Sequence, residues 1–510
     1  MAAASLPIDY FHTNADDEHH EIFGVIWLDD STNAKEVRDT EQKLRSIINN
    51  FERFQDIEQC QKYIKERSKK DRLIIIVSGR LGREIVPSIH RFRQVISIYV
   101  YCLDKEGNEK WACKFAKIKA VVVELDELIS RIKADHKIQK MVEEPLSINI
   151  FTTNTGAGKS LTGLNGQFVF SQVLIDCLLR LKYSEVDKKE LIHLCRQQYQ
   201  GNSVELSNIR EFEKDYSANK VLWWYTRESF FYKSLNAALR TQNIHIIFLF
   251  RAYISDIHRQ LKNLQAQNRL RVYRSQMISS DELKTLKECC GQFISVNSFF
   301  STSVDYRQAI SFINIFDDTD NLEPILFEIE ADPLMVATKP FANISICSDL
   351  NEESEVLFML GSIFRLNTIQ RSSDSKVWII RMTLCSENEH DLKQVLMNMK
   401  EQLGSGETDL QTLGKVLWEM GKFDLAEKYF IRLLEQLPSN DPSRGSIYED
   451  LGKLSSQTGD YDKSVQWHQK SLALKNQNKL TIISSIDEAS NSIGKFIETK
   501  RIHTEIRILH

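Results

Sequence analysis

No stretch of this 510-residue chain is apolar for long enough to cross a bilayer. The longest runs, such as "IHIIFLF" from Ile244, fall far short of the roughly 18–20 residues that a spanning helix needs. A basic start followed by an apolar run is missing too, so the opening "MAAASLPIDYFHTNADDEHHEIFG" does not read as a secretory leader. Cysteines are few and show no pairing pattern. They stand at positions 60, 102, 113, 177, 195, 289, 290, 347 and 385, without the C-x-x-C spacing of a zinc site or a redox dithiol. These absences lead to the expectation of a soluble, cytoplasmic protein with reduced, mostly buried thiols and no membrane partner. An excess of charge of either sign is also lacking: a formal net charge of −4 with 42% apolar residues excludes a disordered chain and a broad nucleic-acid surface. Any nucleotide site must therefore be local, and the length calls for two to four domains.

One short stretch, "FTTNTGAGKSLTG" at 151–163, ends like a phosphate-cradling P-loop. That loop needs Gly at its first position, where the chain turns so that successive N–H groups point at phosphates. Position 153 is Thr. A later apolar strand ending in an Asp that helps to hold magnesium is also missing, since "IHIIFLF" is followed by Arg251. The Gly158-Lys159-Ser160 tail thus reads as linker composition, and nucleotide hydrolysis is a rival reading only.

Along the chain, residues 21–140 alternate apolar strands ("IFGVIWL", "RLIIIVSG", "VISIYVYCL", "KAVVVEL") with amphipathic helices, which predicts a small parallel α/β domain covered on both faces. The first strand runs into Asp29 and Asp30, which resembles the acidic pocket of a flavodoxin-like receiver domain. The strand that would end in a phosphate-accepting Asp ends instead in Ser78 and Gly79, so a non-catalytic interaction domain is expected. A linker follows at 141–166. From 167 to 390 helices come first and strands afterwards, the order of an α+β domain. The last hundred residues repeat themselves: Gly414, Gly421, Phe423, Asp424 and Tyr429 recur 38 residues on as Gly452, Gly459, Tyr461, Asp462 and Trp467. This resembles two tetratricopeptide repeats over 405–478, lengthened from the usual period of about 34 by "SNDPS". An incomplete third repeat or tail occupies 479–510, with its start near Asn491. Such repeats bury their apolar faces only against neighbours and bind proteins or peptides.

Three short elements in the strand-rich region carry chemistry. They are "VYRSQ" with Arg274, "SFFSTS" with Ser301, Thr302 and Ser303, and "EESEVLFMLG" with Glu353 and Glu355. An Arg on an apolar strand offers a bidentate fork to phosphate. A hydroxyl cluster at a strand start holds a ribose and orients a carboxylate. Two carboxylates at i and i+2 share a side of an extended segment. Each also has an ordinary reading, as a salt-bridged Arg, a turn and a solvated acidic loop.

In this order the three elements resemble the R-S-E class of mono-ADP-ribosyltransferases, which includes vertebrate arginine-specific ecto-enzymes and bacterial toxins. The resemblance spans roughly residues 165–390, including the helical "WWYTRESFFYKSLNAALR". It implies NAD as a consumed cosubstrate and no metal. Arg274 would anchor the NAD phosphates and adjoining ribose, with Ser275 and Gln276 beside it. Ser301 would position the nicotinamide ribose and support the catalytic carboxylate, with Thr302 and Ser303 shaping the strand. Glu355 would be the catalytic Glu, and Glu353 would orient and deprotonate an acceptor guanidinium, so protein arginine is the expected acceptor. Many relatives have Gly where this chain has Ser275. Ser keeps both main-chain groups, but its Cβ would crowd a ligand that approaches the backbone closely. Two alternatives stand beside transfer: a catalytically silent scaffold, and an NAD glycohydrolase in which water replaces the acceptor.

Overall fold

The structure is a computed structural model that describes residues 21–30, 34–69, 71–143, 146–151, 164–311, 322–336, 338–348, 354–373, 376–386, 396–397, 401, 403–404 and 406–476. Gly158-Lys159-Ser160, Glu353 and the expected third repeat lie outside the described residues. The chain forms two compact units, one built from Met1–Gln172 with Tyr183–Met397, the other from Val173–Lys182 with Asn398–His510. No helix among the described residues is long and apolar enough to cross a membrane.

The first unit opens with ten alternating elements: β1 (Phe23–Leu28), α1 (Ala34–Arg45), β2 (Phe51–Phe54), α2 (Ile57–Glu66), β3 (Arg72–Ser78), α3 (Gly79–Ile89), β4 (Val95–Tyr101), α4 (Lys105–Ala112), β5 (Ile118–Val122) and α5 (Leu125–Glu143). The strands are all parallel, in the order β2-β1-β3-β4-β5. Side-chain alternation divides each strand between two cores. Val25 and Trp27 meet Leu44 of α1, Ile48 just beyond its end, and Leu128 and Ile132 of α5. Ile26 and Leu28 face the opposite way, with Cys60 and Ile64 of α2 and Leu81 and Ile85 of α3. Burial on both sides is why these strands read as unbroken apolar runs. Asp56 and Asp104 begin α2 and α4 by accepting from the N–H groups of Gln59 and Gly107. Beyond β1, Asp30 is tied to Arg80 at 2.6 Å.

The stretch read as a linker is partly ordered into the next layer. β6 (Ile148–Phe151) pairs antiparallel with β8 (Phe293–Val296), because Ile148 and Ile150 pack on the core of the next sheet and the Phe151 ring meets the Phe168 ring at a tilt. Six helices follow: α6 (Leu164–Arg180), α7 (Glu185–Gln198), α8 (Ser203–Asp215), α9 (Val221–Thr226), α10 (Phe230–Thr241) and α11 (Ile244–Asn263). The run "IHIIFLF", treated above where a strand would stand, is the first two turns of α11. Asn243 caps it, and Arg251 is buried in a 2.6 Å pair with Asp187. A short apolar run does not by itself distinguish a strand from a buried helix.

The remaining elements are β7 (Leu270–Ser279), α12 (Ser280–Glu288), β8, β9 (Phe300–Ser303), α13 (Tyr306–Ser311), β10 (Leu322–Ala331), β11 (Phe341–Asn343), β12 (Glu355–Phe358), β13 (Ser362–Arg371) and β14 (Trp378–Leu384). They form one sheet in the order β11-β12-β9-β7-β10-β14-β13-β8-β6. β7 and β10 share a ten-residue antiparallel ladder, whereas β7 and β9 meet only at Tyr273 and Ser303. That narrow junction lets β11, β12 and β9 fold over a core shared with the other six strands. Phe300, Phe341 and Phe358 from the three-strand side pack there with Phe327, Phe364 and Met382.

Within this unit the N-terminal α/β layer docks on helices α7, α8 and α10. Asn49 Nδ2 donates to the Gln198 carbonyl at 3.1 Å, Asn202 Nδ2 to the Arg45 carbonyl at 2.7 Å, and the Tyr199 hydroxyl to Glu21 Oε1 at 2.8 Å. Burial pushes the Glu21 carboxyl above its ordinary value, partly offset by the Lys233 ammonium. A raised acid binds its proton more readily folded than unfolded, so stability falls as pH rises through its folded pKa. Glu21→Gln keeps an oxygen for Tyr199 and has nothing to ionise. It should unfold at a higher temperature than the parent chain at pH 7, and the gap should close below the ordinary value of 4.5. Thermal melts of both proteins from pH 4 to pH 8 check this, and an equal or widening gap at low pH contradicts it.

The second unit contains α14 (Leu410–Glu419), α15 (Phe423–Gln436), α16 (Arg444–Gln457) and α17 (461–476). The 38-residue offset is visible atom by atom. A Cβ on Gly414 would lie 2.4 Å from the Phe430 ring, and one on Gly452 would lie 2.7 Å from the His468 ring, so both helix pairs need glycine at the close approach. Gly421 and Gly459 end α14 and α16 with φ of 72° and 85°. The next residues close the same turn, Lys422 N–H to the Leu417 carbonyl and Asp460 N–H to the Ser455 carbonyl, both at 2.9 Å.

Candidate functional site

Arg274 sits mid-way along β7, at the point where β9 peels away from it. Its register partner on β10 is the buried Phe327, and its guanidinium lies 5.5 Å from the centre of the Phe300 ring. Nη1 donates to the Ser301 carbonyl at 3.0 Å. Gln276, fully buried two residues along the strand, receives longer contacts of 3.4 Å from Nε and Nη2. The Arg fork is thereby aimed across the junction rather than along the sheet face.

Ser301 and Glu355 stand diagonally across the β9–β12 ladder, in which Ser301 is opposite Leu357 and Ser303 opposite Glu355. Alternate residues share a face, so the hydroxyl and the carboxylate point the same way. Ser301 Oγ donates to Glu355 Oε1 at 2.6 Å. Such a length is that of a charge-assisted O–H···O⁻ bond. One residue, Ser301, therefore joins the guanidinium through its carbonyl and the carboxylate through its hydroxyl. The chain Arg274–Ser301–Glu355 links three positions far apart in sequence within hydrogen-bond distances.

The other residues singled out from the sequence do different things. Thr302 is buried on the opposite face and donates to the Val356 carbonyl at 2.9 Å. Ser303 braces the entry to α13: its Oγ accepts from the Asp305 N–H at 3.0 Å and donates to Gln308 Oε1 at 2.9 Å. Ser275 is buried, and its Oγ donates to the Ala309 carbonyl of the same helix. The side chain that stands in place of glycine is thus taken up by α13, on the strand face that carries Tyr273 and Leu326 rather than Arg274. Among the described residues no group of three or more His, Cys, Asp or Glu is placed to hold a metal ion.

The tetratricopeptide-repeat family model matches residues 406–477. The described helices α14–α17 lie within that range. No curated protein matches the chain. Similar solved structures include the C3 exoenzyme of Clostridium limosum, at 17% identity over 38% of this chain and 94% of that one, TM-score 0.26. The Vis toxin, an ADP-ribosyltransferase from Vibrio splendidus, is 20% identical over 42% of this chain and 91% of its own, TM-score 0.26. The ADP-ribosyltransferase HopU1 of Pseudomonas syringae pv. tomato is 14% identical over 40% and 99%, TM-score 0.27.

Sequence patterns passed over the groups that hold Glu355 by its main chain. Ile344 N–H donates to the Glu355 carbonyl at 2.9 Å, and the Glu355 N–H donates to Ser345 Oγ at 3.1 Å. An Asn-x-Ser just after a short strand resembles any polar turn, so only the fold reveals what it faces.

Proposed function

We propose that this chain is an NAD-dependent mono-ADP-ribosyltransferase that transfers ADP-ribose to arginine side chains of protein substrates and releases nicotinamide. The observation that carries the reading is the single hydrogen-bonded chain from Arg274 through Ser301 to Glu355. In this reading Arg274 meets the NAD diphosphate, with Ser275 and Gln276 on the same strand and Ser301, Thr302 and Ser303 on the next. Breaking the bond to nicotinamide loads positive charge onto the ribose, an oxocarbenium-like state of the kind formed in glycoside hydrolysis. Glu355, oriented by the Ser301 hydroxyl, stabilises that charge, and electrostatic stabilisation of this type is worth most where water is excluded. Glu353 is assigned to the acceptor guanidinium, which is protonated at any physiological pH and must lose a proton as it attacks.

The repeats at 406–477 are read as the arm that recruits protein partners. The strand order 2-1-3-4-5 supports a flavodoxin-like, receiver-like N-terminal domain. Ser78 at the end of β3 supports a role in docking rather than phosphotransfer. All nine thiols are free, and burial pushes those of Cys60 and Cys195 up to about 12, which supports a reducing, cytoplasmic setting. The deciding experiment incubates the full chain with labelled NAD and a mixed protein lysate, followed by mass spectrometry of labelled peptides. Nicotinamide release with label on arginine is expected. Release with label only in free ADP-ribose marks a glycohydrolase, and no release at all leaves a scaffold.

A further inference from the structure

Glu355 is the first residue of β12, and a strand end has few neighbours to fix it. Its carboxylate is held by Ser301. Its main chain needs a second anchor, because on the β9 side the flanking residues make the contacts. Val304 N–H reaches the Ser354 carbonyl at 3.3 Å, and Thr302 Oγ1 reaches the Val356 carbonyl at 2.9 Å. The N–H and C=O of Glu355 itself therefore face β11.

There the regular ladder stops at Asn343, opposite Val356. Ile344, fully buried, still donates to the Glu355 carbonyl. The Glu355 N–H is met by a side chain, Ser345 Oγ. Asn343 Oδ1 accepts both from the Ser345 N–H at 3.0 Å and from the Ser345 hydroxyl at 2.7 Å. The main-chain N–H is a donor without ambiguity, which fixes the amide oxygen as the acceptor. A hydroxyl has one proton to give. With that proton committed to Asn343, the Ser345 lone pairs are left for the Glu355 N–H.

We propose that Asn343 and Ser345 form a polar latch on the main chain of Glu355, with Ser345 as a positioning residue for the reaction and Asn343 setting the direction of its hydroxyl. This rests on the transferase reading only for its kinetic consequence; the latch itself is a statement about the Glu355 N–H. Neither residue touches NAD or acceptor in this scheme. They act through Glu355, whose carboxylate must stay within a fraction of an ångström of the developing charge.

The test uses the full chain with Ser345→Ala, Asn343→Ala, the double replacement, and the conservative Ser345→Thr and Asn343→Asp. Asn343 is exposed, so its replacement keeps the test open should Ser345→Ala fail to fold. Ser345→Ala and Asn343→Ala should each lower kcat for nicotinamide release about tenfold, with KM for NAD within about twofold. The double change should be no worse than Ser345→Ala, because both break one relay. Ser345→Thr and Asn343→Asp should recover most of the rate. Unchanged kcat, additive losses, or no rescue would overturn the positioning role. If the parent chain releases no nicotinamide, the transferase reading fails, and hydrogen exchange at the Glu355 amide decides the latch: faster exchange in Ser345→Ala supports it and unchanged exchange refutes it.

Discussion

Glu355→Gln is expected to lower the rate of nicotinamide release about 10²–10³-fold while leaving the melting temperature nearly unchanged and NAD binding intact. Gln keeps the shape of the side chain and an oxygen able to accept from Ser301 Oγ, so the diagonal contact across β9 and β12 survives. On the proposed reading, what disappears is one negative charge beside the ribose. Removing a single preorganised electrostatic group from an active site costs roughly 2.7–4 kcal/mol of transition-state stabilisation, which is the stated rate loss. On the same reading ground-state affinity rests on Arg274 and is spared. Ser301→Ala leaves the charge and removes its orientation, so it should fall between the parent and Glu355→Gln. Steady-state release assays with calorimetric NAD binding separate these effects. A Glu355→Gln protein that retains full turnover would remove Glu355 from the chemistry.

The second large effect is on stability. Lys233→Met should destabilise the first unit by about 3–5 kcal/mol, the cost of leaving a buried charge unpaired. Lys233 Nζ lies 2.9 Å from Glu205 Oε1, and both side chains are almost wholly buried. Glu205 also accepts from the Phe230 N–H at 2.7 Å and Asn208 Nδ2 at 3.0 Å, so its carboxylate is fixed in place. Burial pulls the Lys233 ammonium down, but Glu205, Glu228 and Glu21 together outweigh it and hold its pKa raised. The charge is therefore present throughout the physiological range, and its loss leaves Glu205 and Glu21 facing each other without it. Lys233→Met combined with Glu205→Gln should recover much of the deficit, because no bare carboxylate is left at that position. Urea unfolding of the three proteins measures this. Equal stability of parent and Lys233→Met would show that the pair holds nothing together.

The same cluster shows where sequence reasoning stops. In "FFYKSLNAAL" Lys233 reads as the solvated face of an amphipathic helix. Its burial comes from docking of the N-terminal layer, whose Ile47 carbonyl it approaches at 3.4 Å from 186 positions away. No local pattern encodes that distance. The strands β1, β3, β4 and β5 were legible because both of their faces are apolar. β2, "FERF", was not, since four residues with two charges carry no such run. β6 hid for a related reason, inside a stretch whose Ser, Thr, Asn and Gly content is that of a loop. Arg274, Ser301 and Glu355 were legible as an ordered set of residue types. Their contact through the two ends of Ser301 was not, because it depends on the single-pair junction between β7 and β9. The repeat offset is the opposite case: glycines at 414 and 452 repeat in sequence because the same helix approach repeats in space.

The most direct measurement is a crystal structure of the full chain carrying Glu355→Gln, grown with saturating NAD. The diphosphate is expected against the Arg274 guanidinium, with the nicotinamide ribose between Ser301 and position 355. NAD bound elsewhere on the chain, or absent at saturation from a site that retains Arg274 and Ser301, would contradict a shared dinucleotide cleft.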